Sequence, residues 1–235
     1  MKTHASITAA LVIATLTRAN AALQISTKSV SLDATHRIET VEVSNLDDDA
    51  KVLQVHANHW TQLNGKDVLE TTDNLLAIPR VFSVAGHAKQ IVRIAVRAIP
   101  DGAEDSYRVN VAEVASKVQT NRRVQIQFGF SFPVFVEPKF IVAPRLSWTF
   151  TPVDAGHVRV TIQNTGTAHT KVDDVAISTG IDLRTPNFKS PQLEYLLAHQ
   201  AWSFNVPLKV DRPHALAYQA RIGGKTVSGT ITPGP

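Results

Sequence analysis

Val124-Gln125-Ile126-Gln127-Phe128-Gly129-Phe130-Ser131-Phe132-Pro133-Val134-Phe135-Val136 is the stretch that decides the fold class. Val124, Ile126, Phe128, Phe130, Phe132, Val134 and Val136 have one parity, and Gln125, Gln127, Gly129 and Ser131 have the other. Successive side chains of an extended chain point to opposite faces, so this is a β-strand carrying a continuous bulky stripe. Strands usually run to about 5–6 residues, and this one is roughly twice as long. Pro133 has no N–H to give to a ladder, which places the strand at or near a sheet edge. Two uses of the stripe stay open. It covers the strand's own core, or it follows an exposed edge that pairs with a second chain, where backbone bonds give affinity and alternate side chains fill pockets.

The rest of the chain is also dominated by extended segments. They are predicted at Leu23–Leu32, Arg37–Ser44, Lys51–Ala57, Asp73–Phe82, Lys89–Val96 and Ser106–Val114. After Glu137-Pro138, read as the hinge, they resume at Leu146–Phe150, His157–Gln163, Lys171–Ser178, Ala201–Pro207, Ala215–Ile222 and Thr226–Ile231. Asn64-Gly65 is a tight-turn signal. Only Pro191–His199 has a helical look. Many short strands between turn signals indicate sandwiches or barrels, and about seven per half fit an immunoglobulin-like sandwich. The expected fold is all-β, with two immunoglobulin-like β-sandwich domains over residues 22–137 and 138–235.

Lys2 and His4, the apolar run Ala5–Leu16, and Ala19-Asn20-Ala21 follow the order of a secretory signal peptide over residues 1–21, which makes Ala22 the expected start of the exported protein. The apolar run is shorter than the roughly 20 residues that a membrane helix needs, and no later segment reads as membrane-embedded. The formal net charge is +4, and losing Lys2 and Arg18 with the leader lowers it by two to +2. So mild a balance, without a basic run, argues against nucleic acid as a partner. The chain has no cysteine, which rules out disulfide and thiolate chemistry. Domains of about 100 residues each must then be held by apolar cores.

A search for chemistry assigns no catalytic residue, no cofactor and no metal. No G-x-S-x-G elbow, H-E-x-x-H pair or Gly-rich phosphate loop occurs. His56 and His59 are three apart, so a strand sends them to opposite faces and they do not close on one metal. Asp47-Asp48-Asp49 lacks the ligand spacing of a calcium loop and reads as a solvated turn. Trp60, Trp148 and Trp202 are scattered and read as core or corner residues.

Several segments together resemble the periplasmic pilus chaperones of the chaperone–usher pathway. They are Ile25-Ser26-Thr27-Lys28-Ser29-Val30, Ser44-Asn45, Trp60-Thr61-Gln62, Val92-Arg93-Ile94, Ser106-Tyr107-Arg108-Val109 running to Glu113-Val114, and Val124–Val136 with Pro138. The C-terminal half resembles that family more loosely. The resemblance implies two immunoglobulin-like domains in a boomerang arrangement. It also implies a donor strand, with Val124, Ile126, Phe128, Phe130 and Phe132 entering the groove of a subunit that lacks its own last strand. Two basic residues of the family hold the subunit's C-terminal carboxylate. The first falls on Lys28, where the usual arginine's bidentate fork is lost. The second falls on Pro133, so Arg93 or another cleft arginine is the expected substitute; the rival role for Arg93 is an ion pair with Glu104 or Asp105. The family's basic residue before the hinge proline is Glu137 here. These departures point to a divergent branch, such as the archaic-type pilus systems.

The resemblance thus implies a periplasmic chaperone, not an enzyme, that folds, caps and delivers pilus or secreted fimbrial subunits to an outer-membrane usher by donor-strand complementation. An exposed edge also allows the free chaperone to cap itself as a dimer. The rival reading is a secreted structural or adhesive β-sandwich in which the stripe is internal. A secreted enzyme or sugar-binding module is the third reading and has no constellation to carry it.

Overall fold

The computed structural model describes residues 23–114, 129–154, 156–178, 188–189, 195–207 and 215–231. The leader reading of residues 1–21 and the stripe residues Val124, Ile126 and Phe128 lie outside the described residues. Among the described residues there are strands and no helix, hence no helix long and apolar enough to cross a membrane.

The N-terminal sandwich packs two sheets. One has the order β1 (Leu23–Ile25), β3 (Ile38–Asn45), β8 (Lys89–Val96), β6 (Leu75–Ile78). The other has the order β2 (Val30–Leu32), β10 (Gly129–Val136), β9 (Asp105–Glu113), β4 (Lys51–Leu63), β5 (Lys66–Thr71), and β7 (Val81–Val84) also pairs β4. Leu23–Leu32 is therefore two strands and not one. β1 pairs antiparallel with β3, and the chain then crosses to the opposite sheet, where β2 pairs parallel with β10. The crossing is at Thr27–Ser29, where the Thr27 hydroxyl donates to the Ser29 carbonyl at 2.6 Å. β4 outruns its predicted end at Ala57 because two partners share its length: β7 covers Lys51–Gln54 and β5 covers Asn58–Leu63. Asn64 (φ 52°) and Gly65 (φ 75°) close the β4–β5 hairpin, both left-handed as a two-residue hairpin turn requires.

Alternation on each strand feeds one core. Phe132, Val134 and Val136 of β10 pack with Leu53, Val55, Ile94, Val109 and Val111. Each such side chain stabilises the fold by roughly 1.5–3 kcal/mol. Tyr107 is also buried there, and its hydroxyl accepts from Asn74 Nδ2 at 2.7 Å. Burial pushes this phenol up to about 12, with the Asn74 hydrogen bond acting the other way. The ionised form is disfavoured in the folded state, so the contribution is intact below the ordinary value near 10 and is lost as pH rises through the folded one. Stability is expected to fall by about 1–2 kcal/mol between pH 10 and 12 from this group. Denaturant titrations at stepped pH check it, since Tyr107→Phe should flatten that part of the profile.

The C-terminal sandwich sets β11 (Leu146–Asp154), β12 (His157–Asn164) and β15 (Ala201–Pro207) against β14 (Phe188–Lys189), β13 (Val172–Ser178), β16 (Leu216–Ile222) and β17 (Lys225–Ile231). Phe150, Val160, Ile162, Val172, Ile177 and Leu216 fill its core. The helical look of Pro191–His199 fails over the part described. Leu196 forms a bridge with Thr170, and Ala198–His199 is a turn. Leu196 joins the C-terminal core while Leu197 joins a separate cluster. Consecutive apolar residues that serve opposite sides suit an extended segment better than a helix.

The two domains repeat one device. β3 ends on Asn45 and β12 on Asn164, both fully buried. Asn45 Nδ2 donates to the carbonyls of Asp49, Val84 and Ala85, and Asn164 Nδ2 to those of Ala168, Leu196 and Leu197. Each Oδ1 accepts the backbone N–H two residues on. Buried loop carbonyls need such partners, and one primary amide serves a whole strand-end turn in each domain.

Candidate functional site

β10 is bound on one side along its whole length and on the other only at its base. It pairs with β9 from Gly129 to Val136, but β2 covers only Val134–Val136. Pairing at the base continues through Glu137 N–H, which donates to the Leu32 carbonyl at 2.8 Å. Among the described residues, Gly129–Pro133 has no strand on its second side. Pro133 lies just where the covering strand stops, a position at which a missing N–H does little harm. Burial follows the same division: Phe132, Val134 and Val136 are in the core, Phe130 is half-buried against it, and Gly129 and Ser131 are exposed.

The other face of the β10 base meets the C-terminal domain. Phe135, off the parity of the stripe, is buried with Trp60, Leu197 and Tyr195. The His169 ring lies on Phe135 at a centroid distance of 3.4 Å and an interplanar angle of 6°. His169 Nδ1 is 2.7 Å and 2.9 Å from the two oxygens of Glu104, whose side chain is 2% exposed. A buried carboxylate accepts here, so Nδ1 carries the proton. The Glu104 N–H donates to the Thr167 carbonyl at 2.9 Å. Gln62 adds two bonds, donating to the Tyr195 carbonyl at 2.9 Å and accepting from the Leu197 N–H at 3.1 Å. At the β4–β5 turn, a Cβ on Gly65 would stand 2.4 Å from Trp202 Cδ1, so the hairpin tip sits directly against the second domain.

The model of the family described as pili and flagellar-assembly chaperone, PapD N-terminal domain, matches residues 22–142, just over half of the chain. The chain belongs to this family. Comparison of the chaperone with curated proteins returned no match. Three solved structures similar to it are distant in sequence. A chain of the CsuC–CsuE chaperone–tip adhesion subunit pre-assembly complex from the archaic Csu pili of Acinetobacter baumannii is 20% identical at TM-score 0.67, covering 92% of this chain and 100% of its own. The E. coli chaperone DraB is 14% identical at 0.61, covering 90% and 96%. A chain of the Salmonella enterica SafA pilin–SafB chaperone complex is 11% identical at 0.61, covering 89% and 96%.

The residues expected to grip a carboxylate in the chaperone are distributed unevenly. Lys28 is exposed in the crossing between β1 and β2, two residues before β2 begins to cover β10. Arg93 is exposed on β8, in the sheet without β10, across from Thr40 and Ile78. Neither Glu104 nor Asp105 pairs with Arg93 among the described residues; Glu104 meets His169, and Asp105 accepts from the Tyr107 hydroxyl. The arginine that shares a face with Pro133 is its cross-strand neighbour Arg108. Its guanidinium lies 3.9 Å over the Trp60 ring and 3.7 Å from Asp67. Sequence alone gives no individual role to Arg108, Phe135 or His169. An aromatic at Phe135 on the polar parity of β10 was the available signal.

The acidic turn at Asp47-Asp48 and His59 have structural roles. Asp47 and Asp48 pair with Lys51 (2.9 Å) and His87 (2.8 Å). The His59 ring meets Tyr107 edge-on at 5.4 Å. No group of three metal-ligating side chains occurs among the described residues.

Proposed function

We propose that the chaperone lends the open edge of β10 to a pilus or fimbrial subunit in the periplasm, caps it there, and passes it to an outer-membrane usher. The observation that carries this is the division of β10, among the described residues, into a base locked on both sides and a segment, Gly129–Pro133, paired on one side only. Strand addition needs both: a free ladder to bind and a rigid strand to present it. The stripe Val124, Ile126, Phe128 and Phe130 supplies the side chains for the subunit's groove, with Phe132 at the boundary to the chaperone's own core. The subunit's terminal carboxylate is assigned to Lys28 and Arg108, which flank the end of the open edge. Similarity to the archaic Csu complex and the missing cation at Pro133 support a divergent branch of the family. The same edge, in the absence of subunit, gives the free chaperone a means of self-capping. A purely structural or adhesive sandwich gives no reason to leave this edge uncovered.

Phe128→Asp is the test. Co-expressed subunit is expected to fall at least a hundredfold in co-purification, while the far-UV spectrum and denaturant midpoint of the chaperone stay at wild-type values. Undiminished capture by a folded Phe128→Asp protein would refute the reading.

A further inference from the structure

We infer that His169 of the C-terminal domain is a positioning residue for β10. The inference rests on the strand-lending reading above and adds to it how the strand is presented. β10 has three surfaces besides its β9 ladder. Its stripe face is buried in the N-terminal core through Phe132, Val134 and Val136, and its second edge is covered by β2 only at the base. The remaining face carries Phe135, and His169 lies flat on it at 3.4 Å. The ring cannot slide freely along Phe135, because Glu104 holds Nδ1 from one side and accepts the His169 backbone N–H at 3.3 Å. Glu104 is itself fixed, since its own N–H is bonded to Thr167 two residues before His169. Tyr195 closes the cluster, with its ring centroid 5.6 Å from those of both His169 and Phe135.

The contact makes the orientation of the second domain and the pose of the lent strand one mechanical unit. A stacked pair is sensitive to tilt, because offset or rotation loses the ring overlap. A buried carboxylate that loses its donor is costly, so the Glu104–His169 bond resists the same tilt. The C-terminal domain thereby steadies the end of the strand from which the open edge runs, and pre-organisation of that edge lowers the ordering cost of pairing with a client strand.

His169→Ala, His169→Asn and Glu104→Gln test this in the full-length protein, first without any client. In His169→Ala, amide hydrogen exchange at Val134–Val136 should accelerate at least tenfold, and residual dipolar couplings should report a broadened interdomain orientation. Exchange at Val109 and Val111 should stay as in wild type, which a general loss of N-terminal stability would not allow. His169→Asn keeps a donor near the Nδ1 position and should restore part of the protection, while Glu104→Gln should cost less than His169→Ala because the stack remains. Unchanged exchange and orientation in His169→Ala overturn the inference. With a subunit that wild-type chaperone binds, His169→Ala should weaken affinity about tenfold; wild-type affinity despite a loosened β10 also overturns it. If no subunit binds wild-type protein while the free-state changes occur, strand lending fails and the positioning of β10 by His169 stands.

Discussion

Phe132→Ala is expected to lower the unfolding free energy of the N-terminal domain by about 4 kcal/mol, as large-to-small changes of buried aromatics do. Phe132 is 3% exposed and packs in the cluster that also holds Val109, Val111, Val134 and Tyr107. The cluster is built from paired strands of both sheets, so it has little room to collapse into the space left behind. Against a total of roughly 5–15 kcal/mol for a domain, such a loss leaves it near the threshold of folding. Ser131→Ala, one residue away and exposed, should stay within about 0.5 kcal/mol of wild type. Denaturant midpoints for both variants decide the point; a Phe132→Ala loss under about 1 kcal/mol would mean that the ring is not a core element. The result bears on function as well. Loss of subunit capture in Phe132→Ala would report unfolding, whereas Phe128→Asp is the variant that tests capture apart from stability.

The described part of the stripe divides by position along one strand. Val134 and Val136 cover the chaperone's own core, Phe132 is committed to it, and Phe130 is only half-buried at the start of the described strand. Parity in the sequence reveals the stripe but not the point of division, because that point depends on where β2 stops pairing. β2 itself was hidden: Leu23–Leu32 looks continuous, and only register against two different sheets divides it. The second half of β4 was hidden for a related reason. Ala57, Asn58 and His59 break its alternation, yet β5 still supplies a ladder there. Most of the sandwich strands were legible because each has one face on a core and period-two alternation records that face directly. The join between the domains was not. Glu104 and His169 are 65 residues apart, and neither lies in a periodic pattern that would mark it. The helical impression around Leu196-Leu197 arose from two adjacent apolar residues that serve different clusters.

Asn164→Ala should destabilise the C-terminal domain by about 3–4 kcal/mol and loosen the join to the N-terminal domain. Alanine would leave the carbonyls of Ala168 and Leu197 without the amide that lies 2.8 Å and 3.0 Å away. It would also strip the acceptor from the N–H groups of Arg145 (3.1 Å) and Gly166 (3.0 Å). Each buried group left unpaired costs about 1–3 kcal/mol, reduced where water enters the space. Asn164→Asp should be no better, because a second acceptor would then face those carbonyls. The turn organised by Asn164 carries Thr167 and His169, the two residues that hold Glu104. Asn45→Ala breaks the equivalent device in the N-terminal domain, where the freed carbonyls belong to Asp49, Val84 and Ala85. The pair therefore separates stability from coupling. Both variants should lower the denaturant midpoint of their own domain, but Asn45→Ala should speed exchange at Val109, Val111 and Val134–Val136 alike, whereas Asn164→Ala should speed it at Val134–Val136 and leave Val109 and Val111 at wild-type rates. Wild-type exchange at Val134–Val136 in Asn164→Ala would show that the turn around Asn164 stabilises its own sandwich without steadying β10.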